Sequence, residues 1–245
     1  MNNRRVTMKT RYFIITGSSR GIGAELSKQL LKVNHHIICI ARTENIEILN
    51  TSRENNYRYD FIPFDFSNIT DVNRLSDQIF KKISGANAEL VCLINNAAAV
   101  TPLGSIDECN VEEIVNNVHI NMLSPIILTS RFLEATRDWS AKKTIINISS
   151  GSGKYPAAGM SVYCSTKAAI NMFTKCVELE LKARTDAVKI YAVDPGMVNT
   201  EMQATARNET KDFPLKAYFQ EAKNDGNLQE PHEVAKKIIK NYIKP

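Results

Sequence analysis

The chain has 245 residues, of which 43% are hydrophobic and 23% are charged, and its formal net charge is +5. This length suits one large domain, and no apolar run approaches the ~20 residues that would span a bilayer. The basic residues 1–10 precede no hydrophobic region, so we interpret them as a flexible leader and not as a secretory signal. The five cysteines lack CxxC spacing, which indicates reduced thiols and a cytoplasmic protein. The modest positive charge, without interleaved arginines and aromatics, favours an anionic cofactor over nucleic acid.

The first predicted element is a short buried strand, residues 12–16, which runs directly into a glycine-rich loop and then into a helical pattern. Strand, glycine loop and helix in this order predict a dinucleotide site. Gly17 permits a tight turn, while Gly21 and Gly23 let a pyrophosphate approach the N–H groups at the N-terminus of the helix.

The second strand, residues 37–41, ends at Arg42, where an NAD site usually carries an acidic residue. A second arginine, Arg20, lies inside the glycine loop. Two guanidinium groups in place of a carboxylate favour a 2′-phosphate, and therefore NADP(H) over NAD(H). The alternative interpretation is a pair of solvated surface arginines.

A third strand, residues 59–64, ends at Asp65 and is followed by an amphipathic helix at 71–83. The sequence leaves open whether Asp65 caps the turn or accepts a hydrogen bond from an adenine amino group. A fourth strand, 90–94, is closed by NNAA at 95–98, where small residues let a ligand approach the backbone and asparagines can tie neighbouring loops.

A long helix is predicted from 111 to 135, and Pro125 falls in its interior. The carbonyl of Asn121 then lacks its helical donor, because proline has no N–H. An interior proline costs ~3 kcal/mol and usually kinks a helix. We expect a bound water to satisfy the carbonyl; the alternative is a kink that serves packing alone.

The fifth strand, 143–148, leads through Ser149 and a glycine-rich loop to Tyr163 and Lys167, which share one face of a helix. Unit charges ~4 Å apart at an effective dielectric of ~20 interact by ~4 kcal/mol. Such an interaction would lower the pKa of a phenol from ~10 towards neutrality, where a general acid works best. The alternative is an exposed tyrosine lying over a lysine stem.

The sixth strand, 188–193, is followed by DPGMVNT, an irregular segment to about residue 228 and a last helix at 232–243. Alternating strands and helices predict an α/β doubly wound parallel sheet in one domain. We interpret 197–228 as a substrate lid, with 97–104 and 151–160 as further walls. The apolar residues predicted in the lid are Met197, Met202, Phe213, Leu215, Tyr218 and Phe219.

Together these motifs resemble those of the classical short-chain dehydrogenase/reductase family, over nearly the whole chain. TGSSRGIG is similar to the family's cofactor motif, NNAA to its NNAG, and DPGMVNT to its PG segment. Within the family, EMQATARNE, the FP at 213–214 and the last helix most resemble the benzil reductase and sepiapterin reductase branch. The residues that match the family's catalytic tetrad are Asn121, Ser149, Tyr163 and Lys167.

The resemblance implies a Rossmann-type sheet in three α/β/α layers, with strand order 3-2-1-4-5-6, and a dimer through the two long helices. Ala98 departs from the family's glycine, and the sequence ends at Pro245 directly after the last helix, so no seventh strand and at most a dimer are expected. No metal is expected in the site. The implied cofactor-binding residues are Gly17, Ser19, Arg20, Gly21, Ile22, Gly23, Arg42, Asp65, Asn95, Ala97, Tyr163, Lys167, Pro195, Gly196, Val198 and Thr200.

Chemistry and resemblance both predict NADPH-dependent reduction of a ketone, diketone or aldehyde, of hydrophobic or aromatic character. Ser149 would hold the carbonyl oxygen and Tyr163 would protonate it. Lys167 would favour the phenolate and hold the nicotinamide ribose, and Asn121 would hold a relay water. Ser150, Ser152 and His119 are interpreted as structural.

Two other functions stay open. One is an NADP(H)-binding sensor or regulator without turnover, against which the intact tetrad argues. The other is an alcohol dehydrogenase working in the oxidative direction with an NAD-type cofactor, against which Arg20 and Arg42 argue.

Overall fold

The computed structural model describes residues 9–184, 188–209 and 212–243. The chain forms six parallel strands, which are β1 (Thr10–Thr16), β2 (His35–Ala41), β3 (Arg58–Pro63), β4 (Ala88–Asn95), β5 (Lys142–Ile148) and β6 (Val188–Val193). They lie in one sheet in the order β3-β2-β1-β4-β5-β6, which confirms the predicted fold and strand order. The described residues add no seventh strand to this sheet.

Helices cover both faces of the sheet, because strand residues alternate between two apolar layers. The α-helices are α1 (Gly21–Leu30), α2 (Ile46–Glu54), α3 (Val72–Phe80), α4 (Val111–Val118), α5 (Ser124–Ala135), α6 (Ser161–Lys182), α7 (Glu201–Arg207), α8 (Lys216–Asn224) and α9 (Pro231–Tyr242). One layer contains residues of α3, α5 and α6, and the other contains residues of α1, α2 and α9. No helix in the described part of the chain combines the length and apolar character that crossing a membrane requires.

Two predicted segments differ from the structure. The first strand begins at Thr10, whose side chain is buried, so the end of the predicted leader belongs to the sheet; residues 1–8 lie outside the described residues. The segment expected to be irregular contains α7 and α8, and residues 210–211 between them lie outside the described residues.

The helix predicted at 111–135 is observed as α4, a π-helical turn at His119–Leu123, and α5. The Ser124 N–H reaches back five residues to the carbonyl of His119. Pro125 follows at the next position and lacks an N–H for the carbonyl of Asn121, which accounts for the local change of helical pitch.

The strand order positions the site. It runs outward from β1 to β3 on one side and from β4 to β6 on the other. The connections after β1 and β4 therefore leave in opposite directions and open a crevice at the carboxyl ends of these strands, where open α/β sheets bind ligands.

Candidate active site

An open cleft of about 590 Å³ lies at this edge of the sheet, and most of the predicted cofactor residues line it. This volume is in the range of small-molecule and cofactor sites. The predicted cofactor residues that line the cleft are Gly17, Ser19, Arg20, Gly21, Ile22, Arg42, Asp65, Ala97, Tyr163, Lys167, Pro195 and Thr200.

The glycine loop is tied to the loop after β4. Gly17 has φ +67°, and a Cβ there would lie 2.8 Å from the Cα of Ala97, so only glycine fits. The Asn96 side-chain amide donates to the carbonyls of Thr16 and Gly17, at 3.0 and 3.1 Å. The N-terminus of α1 follows, where N–H groups and the helix dipole favour a phosphate. The backbone of this region therefore fits a dinucleotide.

Two predicted cofactor residues lie elsewhere. Asn95 is the last residue of β4, and its buried side chain donates to Asn147 on β5 at 2.8 Å. Successive residues of a strand point to opposite faces, so Asn95 supports the sheet and Asn96 faces the glycine loop. Val198 is buried in the apolar layer that contains α1 and α9. The side chains of Asn95 and Val198 therefore pack inside the protein, and contact of either residue with the cofactor stays a prediction.

Two other predicted cofactor residues, Gly23 and Gly196, do not line the cleft either. A Cβ on Gly23 would lie 2.2 Å from the carbonyl oxygen of Gly17, so this glycine allows α1 to pack against the turn. Gly196 has φ +72° and shapes the turn after β6.

The two predicted phosphate-binding arginines have different surroundings. Arg42 is exposed and lines the cleft. Its guanidinium makes no hydrogen bond or ion pair with any of the described residues. Arg20 pairs with Glu201, the first residue of α7. Both partners of this pair are largely exposed, so it contributes little to stability and can open readily.

Asp65 serves the turn after β3, which is one of the two roles left open by the sequence. Its Oδ1 accepts hydrogen bonds from the backbone N–H and the hydroxyl of Ser67, at 3.0 and 2.9 Å. Its position on the cleft wall leaves contact with adenine as a proposal.

Tyr163 and Lys167 lie on one face of α6 at the inner end of the cleft. Lys167 Nζ donates to the carbonyl of Ile148 at 2.9 Å and lies 5.7 Å from the centre of the Tyr163 ring. Burial lowers the pKa of Lys167 to about 8. Burial also raises the pKa of Tyr163 to about 12, against a lowering hydrogen bond from Ser150. The pKa of Tyr163 in the chain alone is therefore raised and not lowered as predicted, because desolvation by burial is the largest influence on it.

The structure also changes the serine assignment. Ser149 lines the cleft, but its hydroxyl donates to Asn171 Oδ1 on α6 at 2.6 Å. The side chain of Ser150 is the one that acts on Tyr163, where its hydrogen bond lowers the pKa. In this structure the Ser149 hydroxyl is therefore held by α6, and Ser150 becomes a second candidate for the role predicted for Ser149.

Asn121 lies in the π-helical turn and is buried. Its Oδ1 accepts from the Ala99 N–H and its Nδ2 donates to the Ala99 carbonyl, both at 2.8 Å. Its side chain therefore holds the loop after β4, and a relay water on its backbone carbonyl stays a prediction. His119 hydrogen-bonds the carbonyl of Ser67 at 2.8 Å, in keeping with a structural role.

An apolar cluster covers Tyr163 from the side of the predicted lid. Phe213 is buried and stacks on Phe219, with ring centroids 5.9 Å apart. Met202 Sδ lies 4.0 Å from the phenolic oxygen of Tyr163. Tyr218, by contrast, is exposed. The other members of this cluster are Val100, Leu103, Ala157, Met160, Cys164, Ala206 and Leu215.

Several residues that shape the site were not found from the sequence. Asn117 donates to the carbonyls of Ala99 and Thr101, at 3.0 and 2.6 Å, and Asn45 donates to the carbonyl of Ser19 at 2.8 Å. Nothing in the neighbouring sequence marks these two asparagines as residues of the site. Asn171 could have been found from the sequence, since it follows Lys167 by the same four residues that separate Lys167 from Tyr163.

Comparisons with known proteins agree with this fold. The profile of the short chain dehydrogenase family matches residues 11–211. A benzil reductase ((S)-benzoin forming) of Bacillus cereus is 41% identical over 93% of this chain and 92% of its own length. Sepiapterin reductase of Mus musculus is 29% identical over 92% of this chain and 89% of its own. A crystal structure of actinorhodin polyketide ketoreductase with NADPH has a TM-score of 0.78 at 23% identity, covering 96% of this chain and 91% of the other.

Proposed function

The chain belongs to the short-chain dehydrogenase family, and on that premise we propose that it reduces a carbonyl compound to an alcohol with NADPH. It is an oxidoreductase of a family that binds a nicotinamide cofactor. The observation that carries the proposal is the pair of Tyr163 and Lys167 at the inner end of the cleft, with Ser150 interacting with Tyr163 and an apolar cluster next to it.

Ser150, Tyr163 and Lys167 each have a separate role in the proposed carbonyl reduction. NADPH, when bound, supplies the hydride to the carbonyl carbon. The carbonyl oxygen accepts a hydrogen bond from Ser150 and takes the phenolic proton of Tyr163. Lys167 then returns a proton to the phenolate and regains one through the proposed relay water at Asn121. A carbonyl in this position must displace the sulfur of Met202 from the phenol.

The preference for NADPH over NADH is proposed from Arg42. This guanidinium lines the cleft at the end of β2 and has no ion-pair partner among the described residues. It is therefore available to a 2′-phosphate, to which arginine can bind through two parallel hydrogen bonds. Arg20 can join it when its pair with Glu201 opens.

A hydrophobic or aromatic substrate is proposed from the cluster over Tyr163. Phe213, Phe219 and Met202 supply apolar, polarisable contacts beside the reacting phenol. The benzil reductase of Bacillus cereus, named for an aromatic diketone, supports this choice. We propose that residues 197–228 act as the lid that closes over such a substrate.

We further propose a cytoplasmic homodimer. The five cysteines are all free, in keeping with a reducing compartment. Exposed apolar side chains lie on α4, at Val111 and Val115, and on α6, at Met172 and Leu179. A second copy would cover this surface, and light scattering would measure the mass of the assembly.

The experiment is a comparison of NADPH consumption with benzil, a pterin, a ketose and an aliphatic aldehyde. We expect the highest kcat/KM with benzil. Tyr163→Phe should abolish turnover and retain NADPH binding, measured by fluorescence titration. The matched control is Tyr57→Phe, because Tyr57 packs against the apolar layer of α1 and α9 outside the cleft, and it should keep full activity.

Two outcomes favour the other functions. NADPH binding without consumption of any carbonyl would favour the sensor. Turnover confined to an alcohol with NAD would favour the dehydrogenase working in the oxidative direction.

A further inference from the structure

Three residues at four-residue intervals on α6 contact the chain that leaves β5. Lys167 Nζ donates to the carbonyl of Ile148 at 2.9 Å. Tyr163, one turn earlier, interacts with the side chain of Ser150. Asn171, one turn later, contacts Ser149. One face of the helix therefore holds both the reacting phenol and the serine loop, residues 149–153.

Asn171 is hydrogen-bonded to both ends of the serine loop. Its Oδ1 accepts from the Ser149 hydroxyl at 2.6 Å, and its Nδ2 donates to the carbonyl of Gly153 at 3.2 Å. A side-chain amide offers an acceptor and a donor together, whereas a carboxylate offers only acceptors. The residue that acts on Tyr163, Ser150, lies between these two attachments.

Gly153 makes the second attachment possible. A Cβ at this position would lie 2.5 Å from Asn171 Nδ2 and 2.8 Å from the backbone of Lys167. The loop therefore lies directly on α6, at a distance that only glycine allows. A hydrogen bond of 3.2 Å from the Ser152 N–H to Ser150 Oγ further restrains the serine.

From these contacts we propose that Asn171 is a positioning residue, which holds the serine loop against α6 and so keeps Ser150 next to Tyr163. This inference rests on the proposed function for its kinetic consequence. Asn171 does not itself line the cofactor cleft. Its loss should therefore act on the chemical step and leave cofactor affinity unchanged.

The test compares Asn171→Asp and Asn171→Ala with Lys175→Ala, an exposed position one turn later on the same helix. We expect kcat for benzil reduction to fall at least tenfold in both Asn171 variants, with the Kd for NADPH within twofold of the parent. Asn171→Asp keeps the acceptor for Ser149 and loses the donor for Gly153, so it tests the amide itself. Lys175→Ala should match the parent in both measurements.

The pH profile separates positioning from general loss of structure. The hydrogen bond from Ser150 lowers the pKa of Tyr163. A misplaced Ser150 therefore raises this pKa, and the alkaline limb of kcat should move to higher pH in the Asn171 variants. A variant that was only partly folded would lose amplitude without moving the limb.

A crystal structure of Asn171→Ala gives a readout that does not depend on activity, and the Ser150 side chain should be displaced from Tyr163 in it. An unchanged serine loop, or kcat within twofold of the parent in both variants, would overturn the inference. A parent protein that reduces no carbonyl would contradict the proposed function, while the position of the loop in the variant would still test the role of Asn171. If Asn171→Ala does not fold, Ser149→Ala removes one of the two attachments and should displace the loop in part.

Discussion

The ammonium of Lys167 lies 5.7 Å from the centre of the Tyr163 ring and donates a hydrogen bond to the carbonyl of Ile148 at 2.9 Å. Both side chains are buried. A backbone carbonyl does not replace the hydration of an ammonium group, so burial lowers the pKa of Lys167 to about 8. A charge in this position decreases the stability of the fold, as is frequent at active sites.

Replacing Lys167 by Met should therefore stabilise the protein and inactivate it. The pKa of this lysine falls from 10.5 to about 8 on folding, so its charge destabilises the folded state most below pH 8. The difference in Tm between variant and parent should shrink as the pH rises from 8 to 10.5. Calorimetry over this range measures it, and a difference that is independent of pH would contradict the burial argument.

The two adjacent serines should differ in their effect on catalysis. Ser150→Ala removes the hydroxyl that acts on Tyr163, and we expect kcat to fall by roughly 10²-fold or more, as when a donor to a developing oxyanion is lost. Ser149→Ala removes only the bond to Asn171 and should cost much less. The reverse order in benzil turnover would restore Ser149 to the role expected from the sequence.

Arg42 should determine the choice of cofactor. We expect at least a tenfold preference for NADPH over NADH in kcat/KM, as ~1.4 kcal/mol of phosphate contact would give. Arg42→Asp should erase or reverse the preference, because a carboxylate repels the phosphate and can bind a ribose hydroxyl. The matched control is Arg53→Asp, an equal charge change at an exposed position of α2 outside the cleft. Equal rates with both cofactors in the parent would refute this assignment.

Pro125→Ala tests whether the π-helical turn serves catalysis. Alanine restores an N–H that can bond the carbonyl of Asn121 and extend α-helical geometry through residues 119–123. We expect equal or higher stability and a lower kcat, because the relay water then competes with a backbone donor. Thermal unfolding and benzil turnover measure the two effects. An unchanged kcat would leave the turn as a packing feature only.

The sequence by itself determined the order and type of the main elements and the position of the cleft. Strands such as β6 and helices such as α6 follow from local apolar periodicity, and glycines mark the loop after β1 because they alone adopt its backbone conformation. The four-residue spacing of Tyr163 and Lys167 places them on one face of a helix without reference to any tertiary contact. These features depend on residues near one another in the chain.

Only the tertiary structure decided which of two identical adjacent residues serves the site, and whether the pKa of a buried side chain is raised or lowered. Ser149 is directed to α6 by Asn171, a residue 22 positions away, which leaves Ser150 for Tyr163. Asn95 is directed into the sheet by Asn147 on the adjacent strand, which leaves Asn96 for the glycine loop. The physical reason is the same in each case. A side chain's direction and its desolvation depend on which distant groups pack around it, and the spacing of residues along the chain does not specify that packing.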